Sequence, residues 1–418
     1  MMDILRKQII NMDLSNFYQN KDCQKILKIL NNNNNETSRI VGGYVRDYLR
    51  NIETKDIDIA TKLNPDEVIE LLSKEKIKTV PTGLSHGTVS AFINDQIFEI
   101  TTLRKDSNHD GRHANIEFTE DWEEDASRRD FTINAIYMDY NGEIYDPFDG
   151  ISDLNNGVVK FIGDPEKRIK EDYLRILRYY RFLTIYNSSI DSKTRKLIQK
   201  NADKIINLSS ERIHQEFFKI LSNDHTGKII NLMKDDGILD LVFSNSVNLK
   251  TYDRIIAIDN ELFFDQDILI KFASLVPKKI QKIKDLKCFA FSNKEKKIID
   301  LLINPNNEIK SYQSVKEVRA ILYNFGIDNF TSLTRLYWAK DKKISNISQW
   351  RALLAMGQSW KAPKFPISAK DILLLGVPEG PLVGEILSEV EDWWIESDFI
   401  DDKASLFERI KAIVGAKI

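Results

Sequence analysis

Cysteine is nearly absent from the 418 residues: only Cys23 and Cys288 occur, too few and too far apart for a disulfide framework or a thiolate zinc site. That scarcity points to a reducing compartment. Long apolar runs are missing as well. The opening "MMDILRKQIINMDLSNFYQNKD" is broken by charge and amide before an apolar stretch long enough for a signal peptide, and no run reaches membrane-spanning length. A cytoplasmic protein with no membrane partner is expected. Neither sign of charge dominates, with 60 Lys and Arg against 63 Asp and Glu and a net charge of -3. The total therefore says little about nucleic acid, whose basic footprint can be local. No short repeat of solenoid type is present. What the chain does have is length and 42% hydrophobic residues, enough for a buried core and on the order of two to four domains.

Up to about residue 150, short β-type runs alternate with helical ones, and afterwards the pattern is almost wholly helical. "CQKILKIL" has helical spacing and leads into the polar run Asn31 to Asn35, a loop. "SRIVGG" reads as a strand into a tight turn, "YVRDYLRN" as a short helix and "KDIDIATKL" as a strand. In "NPDEVIELLSKEK", Asn64 is an N-cap with Pro65 at the first helical position. "GTVSAFI" and "IFEITTL" form a hairpin around Asn94-Asp95. The polar segment "RKDSNHDGRHANIEF", residues 104 to 118, reads as a mobile loop, and "GDPEKRIKEDYLRILRYYRFL" opens the helical part. Breaks are expected near Pro277, near Pro305 and over residues 361–368.

The stretch "GGYVRDYLRNIETKDIDIA", residues 42 to 60, carries the chemistry. Side chains alternate along a strand, so Asp56 and Asp58 point together while Ile57 and Ile59 point the other way. Two like charges held side by side need a cation between them. Oxygen-ligated magnesium fits, since Mg2+ combines a few carboxylates with substrate phosphates. Gly42 and Gly43 let the backbone approach a triphosphate, with Arg46 as a positive partner. Taken singly, Asp-x-Asp also suits a solvated loop and Gly-Gly an ordinary turn. Glu99 is either a third ligand or an edge-strand glutamate facing water.

Joined in order, "GGYVRD", "DIDIA", "RRDFTINAIYMD", "DPFDG" and "EDYLRILRYYRF" resemble the class II CCA-adding enzymes, tRNA nucleotidyltransferases of the DNA polymerase β superfamily, over about residues 38 to 222. "FPISAKDILLLGVPEGPLVGEILSEVEDWW" is similar to the tail of bacterial members. The resemblance implies an α+β head at 1–150 with a small mixed sheet, then an all-α neck at 151–222, body at 223–360 and tail at 361–418 that binds tRNA. It implies that Asp56 and Asp58 hold catalytic Mg2+ ions and that Gly42, Gly43 and Arg46 surround the triphosphate. Arg129 and Asp130 would meet the nucleotide, Asp130 accepting from a ribose hydroxyl, with Asn134 one helical turn beyond. Asp149-Gly150 matches a motif proposed to couple head and neck movement.

Asp172 and Arg175 stand three apart in what reads as a helix, so both can reach one planar ligand or pair with each other. An aspartate accepts from an exocyclic amino group and an arginine donates to a ring nitrogen or carbonyl, a pattern that cytosine and adenine share. In the family this pair works as a protein template for CTP and ATP. Arg178 reaches phosphate or solvates the helix, and "ERIHQE" at 211–216 resembles the motif that buttresses the template helix. Bacterial poly(A) polymerases share the head but carry a "GRRF-x-L-H"-like run where this chain has "PTGLSHGTVSAF" at 81–92. Complete CCA addition to tRNA from CTP and ATP is the expectation, with a poly(A) polymerase and a non-catalytic RNA-binding homologue as rivals. The chain would act as a monomer or homodimer. Lysines between Lys271 and Lys297 make a basic patch for RNA or a solvated helical face. His86, His109, His113, His214 and His225 show no metal-ligand spacing with cysteine, and His113 with Arg112 lies in the loop that could reposition the primer end.

Overall fold

In the computed structural model, the described residues are 7–8, 20–32, 36–54, 56–109, 114–186, 188, 190–223, 226–265 and 267–417. The N-terminal elements are β1 (Lys7–Gln8), α1 (Lys21–Leu30), β2 (Ser38–Val41), α2 (Gly43–Tyr48), β3 (Ile57–Thr61), α3 (Pro65–Lys74), β4 (Lys78–Gly83), β5 (Thr88–Ile93), β6 (Gln96–Thr102), β7 (Arg104–His109), β8 (Ala114–Phe118), α4 (Trp122–Ser127), β9 (Tyr137–Met138) and β10 (Ile144–Tyr145). Eight of the strands form one mixed sheet in the order β1-β10-β9-β2-β3-β6-β5-β4. Only β3 and β6 run parallel within it, and the other neighbours are antiparallel.

Local chemistry accounts for the boundaries. Asn64 accepts from Glu67 N at 3.0 Å while the Glu67 carboxylate accepts from Asn64 N at 2.8 Å, a reciprocal cap that starts α3 behind Pro65. Asn94 takes a φ of 48° at the turn between β5 and β6, a left-handed position that asparagine tolerates. The segment 104–118 is not a loop through most of its length: β7 and β8 pair antiparallel from Arg104 opposite Phe118 to His109 opposite Ala114. Backbone pairing there needs no apolar alternation, which is why polarity misled the reading. Arg112 and His113 at its tip lie outside the described residues, as do Lys55, Asn33 to Asn35 and His225.

Helices follow: α5 (Gly150–Asn155), α6 (Pro165–Glu171), α7 (Leu174–Tyr186), α8 (Ser192–Asn201), α9 (Ser210–Leu221), α10 (Thr226–Asp235) and α11 (Ile238–Val242). The expected helix through "RIKEDYLRIL" is interrupted. Asp172 adopts an extended φ of -155° and ψ of 107° between α6 and α7, and its Oδ1 accepts from Leu174 N at 3.1 Å. It thus caps α7 instead of continuing α6. Tyr179 and Tyr180 are packing residues, both buried.

The chain divides into two compact units, 1–242 and 243–418. The second contains α12 (Lys250–Leu262), α13 (Ile268–Leu275), α14 (Asn293–Ile303), α15 (Val315–Lys340), α16 (Ile347–Ser359), α17 (Ala369–Leu373), α18 (Pro381–Glu396) and α19 (Lys403–Lys417). Gly326, at φ 77° and ψ 167°, kinks α15. Helices end before Pro277, before Pro305 and before residues 361–368, as anticipated. Among the described residues of this unit, one hydrophobic cluster forms around Phe330, Leu336 and Trp350 and another around Ile386, Val390 and Trp394. Among the described residues no helix is long and apolar enough to cross a membrane.

Candidate active site

β3 carries the acidic face. Ile57 and Ile59 are buried while Asp56 and Asp58 open to solvent, the alternation expected of a half-buried strand. On the parallel neighbour, Glu99 stands in register opposite Asp58 and is also exposed. β6 lies inside the sheet, so Glu99 is not an edge residue. Neither Asp56 nor Asp58 has a hydrogen bond or salt bridge to another described residue. Desolvation, then the Glu99 charge, raises the Asp58 carboxyl above its ordinary 3.8; Arg129 opposes this and Asp56 adds to it. Such a face repels itself and calls for a cation.

The glycine turn closes the same end of the sheet. Val41 pairs with Asp58, so Gly42 leaves β2 beside the carboxylates. Gly42 has a φ of 73° and ψ of -121°, a conformation open to glycine alone. A Cβ there would lie 3.5 Å from Arg129 Nη1 and 3.7 Å from the Asn134 carbonyl oxygen. Arg129 therefore packs against the turn, and its charge acts on Asp58. It donates to the Tyr137 hydroxyl at 3.2 Å and to Asp125 Oδ2 at 3.3 Å. A Cβ on Gly43 would lie 3.8 Å from Arg46 Nη2.

Behind the turn runs a continuous polar relay. Arg46 pairs with Asp47 at 2.8 Å and donates to Asn134 Oδ1 at 2.8 Å. Asn134 ends a 3-10 turn over Thr132–Asn134 and donates to Asp130 Oδ1 at 2.9 Å. Arg178 on α7 holds Asp130 Oδ2 at 2.6 Å. Burial pushes the Asp130 carboxyl up, but Arg178, Asn134 and the Phe131 amide outweigh it, and the net shift is downward. Glu216 on α9 continues the chain to Arg178 at 3.6 Å and Arg181 at 3.0 Å. Arg178 thus neither points free at a phosphate nor simply solvates its helix.

Asp172 and Arg175 are not brought together. Asp172 pairs with Arg212 on α9 at 2.7 Å, while Arg175 pairs with Glu171 at 2.6 Å and donates to the Arg168 carbonyl at 2.9 Å. The break at Asp172 is the reason, because it takes the two side chains off a common helical face. Arg212 and Glu216 do buttress this region, as the motif at 211–216 suggested.

Two contributors, Asp125 and Arg168, were missed, and Gly150 has a packing role beside the motif that named it. Asp125, buried beneath the site, gathers Arg128 at 2.6 Å, Arg129 at 3.3 Å and the Tyr137 hydroxyl at 2.8 Å; its i, i+3 and i+4 spacing to Arg128 and Arg129 was a usable signal. Arg168 donates to the carbonyls of both Arg128 and Arg129 across about forty residues, and sequence offers no signal for that. Gly150 is demanded by contact: an added Cβ would fall 2.3 Å from the Thr132 carbonyl oxygen, so α5 abuts the turn that carries Asn134. Asp146 secures it by accepting from Gly150 N and Ile151 N, each at 2.8 Å.

No group of three or more His, Cys, Asp or Glu among the described residues converges to enclose a metal. Two unpartnered carboxylates, Asp58 on β3 and Asp56 immediately before it, fit Mg2+ nonetheless, since that ion completes its octahedron with water and substrate phosphate.

Residues 38–160 match the family described as "Poly A polymerase head domain", and residues 188–247 that described as "Probable RNA and SrmB- binding site of polymerase A". The chain is 34% identical over 385 residues to CCA tRNA nucleotidyltransferase 1, mitochondrial, of Mus musculus, spanning 90% of this chain and 87% of that one. It is 31% identical over 409 residues to the CCA-adding enzyme of Ligilactobacillus salivarius, spanning 90% and 93%. In fold it is similar to the crystal structure of the Bacillus stearothermophilus CCA-adding enzyme in complex with CTP, with a TM-score of 0.68 at 23% identity over 95% of this chain and 98% of that one.

Proposed function

Because the chain belongs to the CCA-adding enzymes, a family of tRNA nucleotidyltransferases, we propose that the acidic face of β3 is where the tRNA 3′-hydroxyl attacks the α-phosphorus of CTP, CTP and then ATP. The enzyme adds CMP, CMP and AMP in turn and releases pyrophosphate each time, without a nucleic-acid template. Asp56 and Asp58 would hold Mg2+, with Glu99 beside them. When bound, a pair of such ions lowers the pKa of the attacking hydroxyl and neutralises the leaving pyrophosphate. The residues of the chain supply position and charge. Gly42 and Gly43 admit the triphosphate to the backbone, and Arg129 and Arg46 offset its charge. Asp130, kept ionised by Arg178, accepts from the ribose hydroxyl through lone pairs that Asn134 and Arg178 leave unused.

Base choice rests with Asp172 and Arg175, and on this reading each must leave its present partner, Arg212 or Glu171, to meet the base. The tRNA is gripped mainly through phosphate by the helical parts, divided as neck 151–222, body 223–360 and tail 361–418; the two separate hydrophobic clusters of the second unit support a boundary near residue 361. Lys271 is buried, so the basic stretch available to RNA begins at Lys278. Two free cysteines suit a reducing compartment such as the cytoplasm.

The observation that carries the proposal is the unpartnered Asp58 carboxylate, under the field of Arg129 and beside the glycine turn. A tRNA lacking its last three nucleotides, incubated with each nucleotide singly and with CTP plus ATP, tests it. Three added residues followed by a stop are expected. Long tails with ATP alone would identify a poly(A) polymerase, and no extension a silent RNA-binding homologue.

A further inference from the structure

A cavity of about 260 Å³ lies wholly within the C-terminal unit, between residues 308–312, the end of α15 and the start of α16. Lys310, Lys340 and Lys343 line it, and none of the three forms a salt bridge with a described residue. Its acids do not neutralise them by contact. The Asp341 carboxylate is already committed, accepting from Lys343 N at 2.9 Å, Asn346 Nδ2 at 2.8 Å and Trp350 Nε1 at 2.9 Å. Glu308 is the other acid in the lining.

Two aromatic rings stand with the lysines. Lys340 Nζ lies 4.4 Å from the centroid of Tyr337, and Lys310 Nζ lies 6.0 Å from that of Tyr312. Tyr312 is 78% exposed. Desolvation, and after it the charge of Lys278, pushes the Lys340 ammonium down to about 8, with Glu308 opposing. The fold therefore holds positive charge here at a cost that a bound anion would relieve.

We propose that this cavity binds a phosphate group, carried either by an RNA backbone or by free phosphate. Lysines recognise phosphate as point charges. The space is below the roughly 300–1,000 Å³ typical of sites that enclose a small molecule, so it suits the phosphate and not a whole nucleotide. The ring of Tyr312 offers a stacking surface for a base attached to that phosphate. The site is separate from the acidic face of β3, and its existence does not depend on the chemistry assigned there.

The test uses the full chain in two arms. In the first, tRNA lacking its last three nucleotides is titrated against wild type, Lys340→Gln with Lys310→Gln, Tyr312→Ala, and the control Lys25→Gln at an exposed position of α1, over a range of salt. In the second, acetylation of Lys340 and Lys310 by a small anhydride is followed by mass spectrometry with and without inorganic phosphate. If RNA supplies the phosphate, the double variant raises Kd about 5- to 10-fold and flattens the salt dependence by about one to two phosphates. Tyr312→Ala then weakens RNA binding as well, and the control changes nothing. If free phosphate is the ligand, RNA binding is unaltered and inorganic phosphate protects Lys340 and Lys310. Unaltered RNA binding together with no protection by phosphate would overturn the proposal.

Discussion

Asp58→Asn should make the protein more stable while removing its activity. Asp58 faces Glu99 in register, with Asp56 two residues away. At about 5 Å, the spacing of directly paired strand neighbours, two unit charges repel by about 0.8 kcal/mol in a water-like medium. That figure is a lower bound, because partial desolvation of Asp58, the largest cause of its raised pKa, adds to the cost of ionising it. Asp56, about 7 Å away along the chain, adds about 0.6 kcal/mol, and with Arg129 offsetting part of the sum the net cost of the ionised carboxylate is about 1 kcal/mol. For a unit of this size the relief corresponds to a rise in Tm of about 2–4 °C. The sign with pH follows from the raised pKa. The stability that the protonated form retains is lost as pH rises from the ordinary 3.8 through the folded value. The advantage of the variant should therefore vanish near about pH 3 and be complete by about pH 7. Calorimetry at both pH values, paired with tRNA extension, reads both halves. A variant that melts at or below the wild-type temperature at neutral pH would refute the reasoning.

Three further outcomes follow from other contacts. Gly150→Ala should cost about 3 kcal/mol or more, because backbone and not a flexible side chain occupies the space its Cβ needs, whereas Gly227→Ala, with nothing within 4 Å inside α10, should be neutral or gain up to about 1 kcal/mol; urea unfolding compares them. Glu216→Gln leaves Arg178 and Arg181 without their shared carboxylate; given the partial exposure of Arg178, about 2–3 kcal/mol should be lost, read as a lower urea midpoint. Asp172→Ala and Arg175→Ala should each narrow the kcat/KM ratio between CTP or ATP and UTP or GTP by about 10-fold or more, and unchanged ratios would contradict their base-reading role.

The elements that sequence foretold are those whose cause is local. β3 announces itself by alternation, α3 by the Asn64-Pro65-Glu67 cap, and the β5–β6 turn by Asn94-Asp95. The exposure of Asp58 between buried Ile57 and Ile59 was legible because strand alternation sets it. The misreadings came from partners distant in the chain. Asp172 could continue a helix by propensity, and it does not, because its carboxylate caps α7 and meets Arg212 forty residues later. Asn134 meets Arg46 across 88 residues, and Arg168 reaches carbonyls beside Asp130 with no motif to mark it. Polar β7 and β8 pair through backbone, for which composition carries little signal.

The central claim is that Asp56 and Asp58 together hold Mg2+ against an incoming nucleoside triphosphate. Calorimetric titration of CTP into wild type and into the Asp56→Asn, Asp58→Asn double variant, each with and without Mg2+, addresses it directly. Mg2+ should tighten CTP binding to the wild type and leave the double variant indifferent to the ion. Equal tightening in both proteins would contradict the account.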